Sequence, residues 1–520
     1  MAANADAEWK PASSPWLIAI AVMLATFMEV MDTSIAAVAL PNIAGSISAT
    51  SDEATWVLTS YLVANAIFIP ASTWLSLKFG RKRYLIASVL IFTAASFACG
   101  AANSLAFILI ARAIQGAAGG ALQPLALAIL LESFPPAKKG LALGMFTVGV
   151  VVAPVIGPTL GGYLTDHISW RWAFYINVPI GLMAAFLQSR VLEDPPFIKK
   201  TKAGRLDVIG LSFLALGLGA LQVVCDKGQE DDWFGSSLIR WMAVLFVVGL
   251  VAWIIRELTA DSPLVDLRIF VNRNFTIGCA LVGAFGACIY GVTTILPLFY
   301  QTLLGYDATT AGLAVASRGI GAMFASVTVG IIVSKVDPRK LIGLGFVIFG
   351  LTAYWSSILT LQIGFWSLFW PTLISGTALA LVFVPLSGVA LATLPQARLA
   401  TGSALFNLTR NVGGSIGISL VNTIATRHTQ THRQELVSSL TGTSLVVRSY
   451  IASQTALMQR HVGPLFATRR AYAELQNILN NEATLWGYID DFRYLAILCA
   501  GCAITVMLLK RAEGSTEPAG

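Results

Sequence analysis

Long apolar segments separated by short polar connections make up most of the chain. A helix needs about 20 mostly apolar residues to cross the hydrocarbon core of a bilayer. We count fourteen segments that meet this requirement. Their predicted starts lie near Trp16, Thr55, Tyr84, Leu105, Gly140, Arg171, Asp207, Ile239, Phe275, Thr309, Leu341, Phe365, Gly402 and Asp491. The pattern predicts an all-α integral membrane protein with fourteen spans and one long polar loop, residues 426–490.

The basic residues of the connections indicate how the chain is oriented. An even number of spans places both termini on the same side of the membrane. The short connections on that side hold twenty-one Lys and Arg residues, and those on the opposite side hold three. Because Lys and Arg are enriched in cytoplasmic loops, both termini are predicted to be cytoplasmic. Residues 426–490 are then predicted to lie in the periplasm.

Composition excludes several other classes of protein. Charged residues make up 12% of the chain, whereas soluble domains carry about 25%. Hydrophobic residues make up 56%, and the mean hydropathy is +0.74. A soluble enzyme, a disordered protein and a secreted disulfide scaffold are therefore excluded. The net charge of +7 comes from short basic clusters between apolar segments, which indicates membrane topology rather than nucleic-acid binding.

The sequence predicts neither a metal site nor a cofactor. The six cysteines lie within or at the ends of apolar segments, and the four histidines lie in loops. His428 and His432 have the i, i+4 spacing of metal ligands. No third ligand is obvious near them in the sequence, so we predict no metal there.

An internal repeat divides the chain. The segment TWLSLKFGRKR at residues 73–83 aligns with GIIVSKVDPRK at residues 330–340, an offset of 257. The segment PLALAILLESFPPAKKG from Pro124 aligns with PLSGVALATLPQARLAT from Pro385, an offset of 261. Spans 1–6 therefore resemble spans 9–14, and spans 7 and 8 are inserted between them.

Two parallel six-helix halves are the layout of the major facilitator fold, which binds substrate at the midplane between the halves. We predict a first half at residues 1–191 and a second half at residues 275–520, which includes the loop at 426–490. Residues 192–274 then form a linker with the two inserted spans.

A few charged residues interrupt the predicted spans. A charge at the centre of a spanning helix costs about 2.5–3.5 kcal/mol on insertion scales, so such residues are candidates for function. Glu29 and Asp32 lie three residues apart on one face of span 1. Arg112 in span 4 is expected at the depth of Asp32, which predicts a pair formed directly or through Gln115. Arrival of a proton at Asp32 would break this pair; the alternative is a permanent structural ion pair.

Two further arginines lie in spans without an acid of their own, Arg318 in span 10 and Arg410 in span 13. They are candidates for binding an anionic group of a substrate, and the alternative is that they bond to backbone carbonyls. Span 5 is rich in glycine and proline, which let helices approach closely and kink them. Its candidate conformational residues are Pro154, Gly157, Pro158, Gly161 and Gly162.

These residues occur in recognisable motifs. MDTSIAAVALP at residues 31–41, RAIQG at 112–116 and APVIGPTLGG at 153–162 resemble motifs of spans 1, 4 and 5 in the EmrB/QacA-type drug:proton antiporters. WRWAFYINVPIG at 170–181 is a further stretch of this kind. LDVIG from Leu206 and DKGQEDDWF from Asp226 resemble the borders of inserted span 7 in the fourteen-helix branch of that family.

The resemblance, closest to the EmrB-like members, implies functional roles. It implies that Asp32 and Arg112 take part in proton transfer and that the span-5 motif distinguishes exporters from importers. The loop between spans 2 and 3 fits the family only in part. Gly80, Arg81 and Lys82 match, but the family's usual glycine and acid are replaced by Thr73 and Leu77, which puts the usual charge relay of that loop in doubt. Glu29 is also unusual, and an extra acid suggests cation recognition or a second proton site.

We therefore predict a proton-coupled exporter of amphipathic drugs in the inner membrane. Its energy source is the proton gradient, without a cofactor, and Glu29, Gln115, Arg318 and Arg410 are its candidate substrate-binding residues. The resemblance implies that residues 426–490 dock a periplasmic membrane-fusion protein connected to an outer-membrane channel. The alternatives are a loop without a partner, proton-coupled uptake, a non-transporting membrane sensor or scaffold, and a membrane enzyme.

Overall fold

A computed structural model describes residues 11–135, 138–195, 207–260, 263, 265–306, 308–395, 398–440 and 445–510. Within these residues the chain is helical and contains no strand. The termini, residues 199–205 of the basic linker and Leu206 of the LDVIG motif lie outside the described part. The helices up to the linker are α1 Pro15–Ser46, α2 Ser51–Phe79, α3 Arg81–Gly100, α4 Leu105–Gly119, α5 Leu122–Ser133, α6 Lys139–His167, α7 Trp172–Tyr175 and α8 Asn177–Val191.

The remaining helices follow the same alternation of long helix and short connection. They are α9 Val208–Lys227, α10 Ser237–Thr259, α11 Arg273–Leu298, α12 Ala308–Ile332, α13 Pro338–Ser356, α14 Phe365–Ala392, α15 Leu399–Ser439, α16 Leu445–Val462 and α17 Pro464–Thr505. Each predicted span corresponds to one of the helices or to a pair of consecutive helices. Predicted span 4 is divided into α4 and α5, and predicted span 6 into α7 and α8.

Among the described residues, twelve segments are long and apolar enough to cross a membrane. Helices α13 and α15 are outside this set, so the count of fourteen spans stays a prediction, as does the cytoplasmic position of the termini. The helices themselves lie where the hydropathy pattern places them, and twelve of them have the apolar length that a bilayer requires.

Local sequence sets several helix ends. Thr50 and Glu53 form a reciprocal cap at the start of α2, in which Thr50 Oγ1 accepts from the Glu53 amide at 3.2 Å. Gly80 separates α2 from α3 with a φ of +86°, in the region that favours glycine. Asp337 accepts a hydrogen bond from the Arg339 amide at the start of α13, where Pro338 is the first residue of the helix.

Contacts between the two halves follow the internal repeat. Helix α6 packs against α1 in its own half and against α12 in the other half, while α2 packs against α15. Under the repeat, α2 corresponds to α12 and α6 to α15, so the two interfaces are the same helix pair used twice. The inserted helices α9 and α10 pack on each other, and α9 also contacts α2 and α15. The centre between the halves is thus lined by helices from both.

The described residues of the long polar stretch after predicted span 13 are almost all helical rather than a loop. Helix α15 runs without interruption to Ser439, and α17 runs from Pro464 into the last predicted span. Helix α16 packs against α17, which in turn packs against α15. These residues form helices because their apolar side chains recur at helical spacing and can pack together. Leu440, Leu475 and Leu479 line one groove within this region. We call α16 together with the polar parts of α15 and α17 the outer bundle.

Candidate functional site

The carboxylate of Asp32 is fully buried within a polar network between α1, α3, α4 and α8. Arg112 Nη1 lies 2.5 Å from Asp32 Oδ2. Asp32 Oδ1 accepts hydrogen bonds from Gln115 Nε2 at 2.9 Å and from Asn177 Nδ2 at 2.7 Å. Both amides also donate to Ser96 Oγ, at 3.1 and 2.9 Å. Asp32 and Arg112 therefore meet directly, and Gln115 lies beside the pair rather than between its members.

Arg112 is held on several sides. Its Nε donates to the carbonyl of Val57 at 3.0 Å, and its Nη1 also donates to Gln115 Oε1 at 2.7 Å. The guanidinium carbon lies 4.2 Å from the centroid of the Tyr61 ring, which adds a cation–π contact. Its Nη2 has no hydrogen-bond partner among the described residues. A positive charge so enclosed depends on the negative charge of Asp32, since an unpaired buried charge is costly.

Glu29 belongs to a second network, one turn of α1 away. Its Oε1 accepts from Tyr61 Oη at 3.1 Å and from Asn65 Nδ2 at 3.3 Å, and its Oε2 accepts from Gln123 Nε2 at 2.5 Å. Glu29 and Asp32 thus have separate hydrogen-bond donors. Tyr61 contacts both networks, because its ring lies against Arg112 while its hydroxyl binds Glu29.

Gln123 connects the first half of the chain to the second. Its side-chain oxygen accepts a hydrogen bond from Arg410 Nη2 on α15, while its amide nitrogen donates to Glu29. Arg410 Nη2 also donates to Asn411 Oδ1 at 3.3 Å. The hydrogen bonds from Gln123 to Glu29 and from Arg410 to Gln123 therefore form a continuous polar connection. It runs from an acid on α1 to an arginine across the interface of the halves.

Arg318 and Arg410 line one cavity between the halves. Pro154 of α6 and the aromatic rings of Tyr290 and Phe383 line it with them. Arg318 Nη1 donates to Thr293 Oγ1 at 3.1 Å. Two nitrogens of each guanidinium have no hydrogen-bond partner within the described ranges, namely Nε and Nη2 of Arg318 and Nε and Nη1 of Arg410. Backbone carbonyls are the alternative hydrogen-bond partners that the sequence suggests for these two arginines. The hydrogen-bond partners observed in the described residues are side chains.

The structure separates the four predicted substrate-binding residues. Arg318 and Arg410 lie at the cavity between the halves. Gln115 is fully buried in the Asp32 network, and Glu29 is 4% exposed and reaches the cavity only through Gln123. Neither Gln115 nor Glu29 is among the residues that line this cavity.

The loop motif after α2 keeps an ion pair despite its departures. Arg81 Nη1 pairs with Glu132 at the end of α5, and both side chains are buried. Asp194 Oδ1 accepts from the backbone amide of Lys82 at 2.8 Å. A side chain at Gly80 would collide with this carboxylate, since its Cβ would lie 2.6 Å from Asp194 Oδ2. The acids that serve this loop are therefore Glu132 and Asp194, at the ends of spans 4 and 6.

The small residues of α6 serve different contacts. A Cβ at Gly157 would lie 2.4 Å from Ser34 Cβ, and one at Gly161 would lie 3.1 Å from Ile35 Cγ2, both on α1. A Cβ at Gly162 would meet nothing within 4 Å, so Gly162 has no part in this packing. Pro158 lies within α6, four residues after Pro154.

Sequence reasoning missed several polar members of these networks. Ser96, Asn177 and Gln123 lie inside apolar segments and are at most 6% exposed. Their signal was the same as for the charged residues, a polar side chain where lipid or core is expected. Asp491 on α17 is likewise fully buried, and neither of its carboxylate oxygens has a hydrogen-bond partner in the described part of the chain.

Comparison with known proteins agrees with this architecture. Residues 22–418 match the sequence profile of the Major Facilitator Superfamily. The chain belongs to the Major Facilitator Superfamily. Membership places it among membrane transporters, and its helices make it a multi-pass protein of the inner membrane.

Two characterised relatives are similar over most of their length. The chain is 41% identical over 426 residues to the multidrug export protein EmrB of Escherichia coli K12, covering 82% of this chain and 83% of that protein. It is 35% identical over 503 residues to the fatty acid resistance protein FarB of Neisseria gonorrhoeae, covering 96% of each. Among solved structures, the proton:xylose symporter XylE has the same fold, with a TM-score of 0.58, 14% identity and coverage of 93% of this chain and 94% of that one.

Proposed function

We propose that this protein exports amphipathic organic compounds in exchange for protons. Its superfamily is one of transporters, and relatives that match most of its length are named for multidrug export and for resistance to fatty acids. The observation that carries proton coupling is the Asp32–Arg112 pair, because both side chains are fully buried and each is the other's counter-charge.

Protonation of Asp32 would change the balance of this pair. A neutral carboxyl gives up the charge attraction to Arg112, which is strong in a low-dielectric interior. Arg112 would then be held by the carbonyl of Val57, Gln115 and the Tyr61 ring alone. The loss favours an arrangement of α1 and α4 in which water reaches the guanidinium. A proton taken up from the periplasm would in this way favour one of two orientations of the halves.

The substrate is proposed to bind between the halves, where Arg318 and Arg410 line a cavity of about 30 Å³ that would have to open further to hold a drug-sized molecule. Free guanidinium donors suit an anionic group, and Tyr290 and Phe383 suit an apolar or aromatic body. An anion at Arg410 would compete with Gln123, which also holds Glu29. Occupancy of the cavity would thereby change the hydrogen bonding of Glu29 on α1. This change would couple substrate binding to proton binding.

We further propose that the outer bundle docks a periplasmic membrane-fusion protein. Its apolar groove, lined by residues such as Leu440, Ile451 and Leu475, is suited to receive a helix from a partner. An outer-membrane channel would complete the route for the exported compound.

The test uses proteoliposomes with an imposed pH gradient, ethidium and a fluorescent organic anion. An antiporter accumulates dye when the lumen is more acidic than the bath, whereas a symporter does so when the bath is more acidic. We expect Asp32→Asn to abolish accumulation while dye binding persists, and Glu29→Gln to reduce it. Asp166→Asn, an exposed acid at the end of α6, is the matched control. Arg410→Gln is expected to reduce transport of the anion more than that of ethidium.

Movement of neither dye by the wild type under either gradient would contradict the proposal. Accumulation driven only by an acidic bath would favour uptake instead. Full coupling in Asp32→Asn would leave export possible but would remove Asp32 as the coupling residue.

A further inference from the structure

Two histidines and an aspartate converge where the outer bundle meets the apolar part of the protein. His428 Nδ1 lies 2.7 Å and His432 Nε2 lies 2.9 Å from the same oxygen, Asp490 Oδ2. The histidines follow each other by one turn of α15, and Asp490 comes from α17. One candidate ligand atom from each residue lies within 4.8 Å of the others. The fold thus supplies, from 58 residues away in the chain, a third ligand beside the paired histidines.

The three side chains are partly buried and open to solution. The exposed fractions are 35% for His428, 25% for His432 and 16% for Asp490. The His432 ring lies against Trp486, and the His428 ring lies against Tyr494, with centroids 6.0 and 5.9 Å apart. These contacts limit the rotation of both imidazoles. A set of ligands held in place needs little ordering when an ion binds.

The donor set selects a class of ion. Two imidazoles and one carboxylate with a fourth position left for water are typical of open zinc sites. Such ligands bind at about 2.0–2.2 Å, which puts neighbouring ligand atoms about 3.3 Å apart in a tetrahedron. The observed separations of 2.7 and 2.9 Å would have to widen by roughly half an ångström, within reach of small side-chain rotations. Calcium and magnesium prefer all-oxygen sites and fit these nitrogens poorly.

The surrounding charges are compatible with a cation. Arg493 Nη1 lies 3.4 Å from Asp490 Oδ1, on the oxygen that the histidines do not use. Glu435 Oε2 lies 3.6 Å from His432 Nδ1, the ring nitrogen opposite the one that faces Asp490. A carboxylate in that position orients a metal-binding imidazole and increases its basicity. Asp490 and Glu435 thus place two carboxylates against the histidines.

We propose that His428, His432 and Asp490 bind a divalent transition-metal ion of the zinc class, which fastens α15 to α17 at the base of the outer bundle. The site is separate from the Asp32 and Arg410 networks, so the proposal does not rest on proton coupling or on drug export. Bound metal joins two helices that emerge from the second half, and it therefore stabilises the folded outer bundle by mass action.

The experiment measures zinc binding by the full-length protein in nanodiscs, purified without a polyhistidine tag and stripped with a chelator. Titration against a fluorescent zinc indicator is expected to find one saturable high-affinity ion per chain. His428→Gln and His432→Gln are each expected to weaken binding at least tenfold, since each removes one of three protein ligands. Asp490→Asn, which keeps the shape of the side chain, is expected to do the same. His167→Gln, an exposed histidine on α6, is the matched control and should bind like the wild type.

A second readout is the melting temperature with and without zinc. We expect zinc to raise it in the wild type and in His167→Gln, and to raise it much less in His428→Gln or Asp490→Asn at the same zinc concentration. Absence of saturable binding in the wild type would overturn the proposal. Equal affinity in the wild type and in all three ligand variants would overturn it as well, because zinc would then bind elsewhere. Magnesium at a thousandfold excess should not displace the ion.

Discussion

At the scale of single residues, Asp32 and Arg112 form a buried ion pair whose members stabilise the protein only together. Removing one member of a buried pair leaves an uncompensated charge and costs about 3–5 kcal/mol, whereas replacing both by neutral groups is often tolerated. The neighbours Asn177 and Gln115 hydrogen-bond to Asp32 but carry no charge. They orient the carboxylate, and Arg112 supplies the positive charge that balances its negative charge.

Because removing one member of the pair costs more than replacing both, the order of melting temperatures in a double-mutant cycle can be predicted. Arg112→Met leaves the Asp32 carboxylate without its counter-charge, and Asp32→Asn leaves the guanidinium of Arg112 in the same position. We expect each single variant to melt well below the wild type in detergent. The double variant Asp32→Asn/Arg112→Met is expected to melt above both single variants. A double variant that loses the sum of the two single losses would show that the pair is not coupled in the folded protein.

The charged members of the site could be predicted from sequence, but most of their neutral partners could not. A charge inside an apolar segment is visible without knowledge of the fold, which is why Asp32, Arg112 and Arg410 stand out. Ser96 and Asn177 reach Asp32 from α3 and α8. Their positions depend on how these helices are rotated against α1, which follows from tertiary packing and not from any local pattern.

At the scale of helices, α6 is the element on which both halves depend. It contacts α1 through Gly157 and Gly161, and it contacts α12 through Gly140 and Gly144 near its first residues. A Cβ at Gly144 would lie 2.6 Å from the backbone oxygen of Ser326 on α12. Small residues at such points let two backbones approach closely. Gly144 therefore sets the approach of the two halves at the end of α6 that is predicted to be cytoplasmic.

Substitution of two glycines on this one helix is expected to have opposite outcomes. Gly144→Ala places a methyl group against backbone that cannot move aside without shifting α12, so closure at that end is impeded. We expect gradient-driven dye transport to fall at least fivefold while dye binding persists. Gly162→Ala meets open space and should transport like the wild type. Equal transport by the two variants would show that the closed contact at Gly144 is not part of the cycle.

The elements show where prediction from sequence ends. Apolar length identified the twelve helices of the described part that can cross a bilayer, because a bilayer imposes that length on any spanning helix. It did not reveal the interruptions between α4 and α5 or between α7 and α8, since the apolar pattern continues through both. The polar residues 426–490 were predicted as a loop because the criterion was polarity, although their apolar residues at helical spacing already indicated helices.

At the scale of the whole molecule, the halves touch mainly through the α6–α12 and α2–α15 pairs, with further contacts of α6 with α14 and of α5 with α15, and the inserted helix α9 bridges them. Asp226 accepts a hydrogen bond from Thr59 Oγ1 in the first half at 2.6 Å. Gln222 accepts one from Ser415 Oγ in the second half at 2.9 Å. If the halves rock, at least one of these two hydrogen bonds must break, and α9 then moves with the half to which it remains bonded.

Rocking also requires α6 and α12 to separate at the end of α6 that is predicted to be periplasmic. There a Cβ at Gly312 would lie 3.6 Å from Thr159 Cβ, within the range of about 3.5–4.5 Å between Cβ atoms joined by a disulfide. The double variant Thr159→Cys/Gly312→Cys is therefore expected to form a disulfide between the halves on oxidation.

The bond would hold the periplasmic side closed, and an exporter that alternates access could not release its cargo there. We expect oxidation to stop gradient-driven dye transport and reduction to restore it, while dye binding and both single-cysteine variants remain unaffected by the oxidant. Undiminished transport by a chain shown to be cross-linked would mean that export does not need these two helices to part.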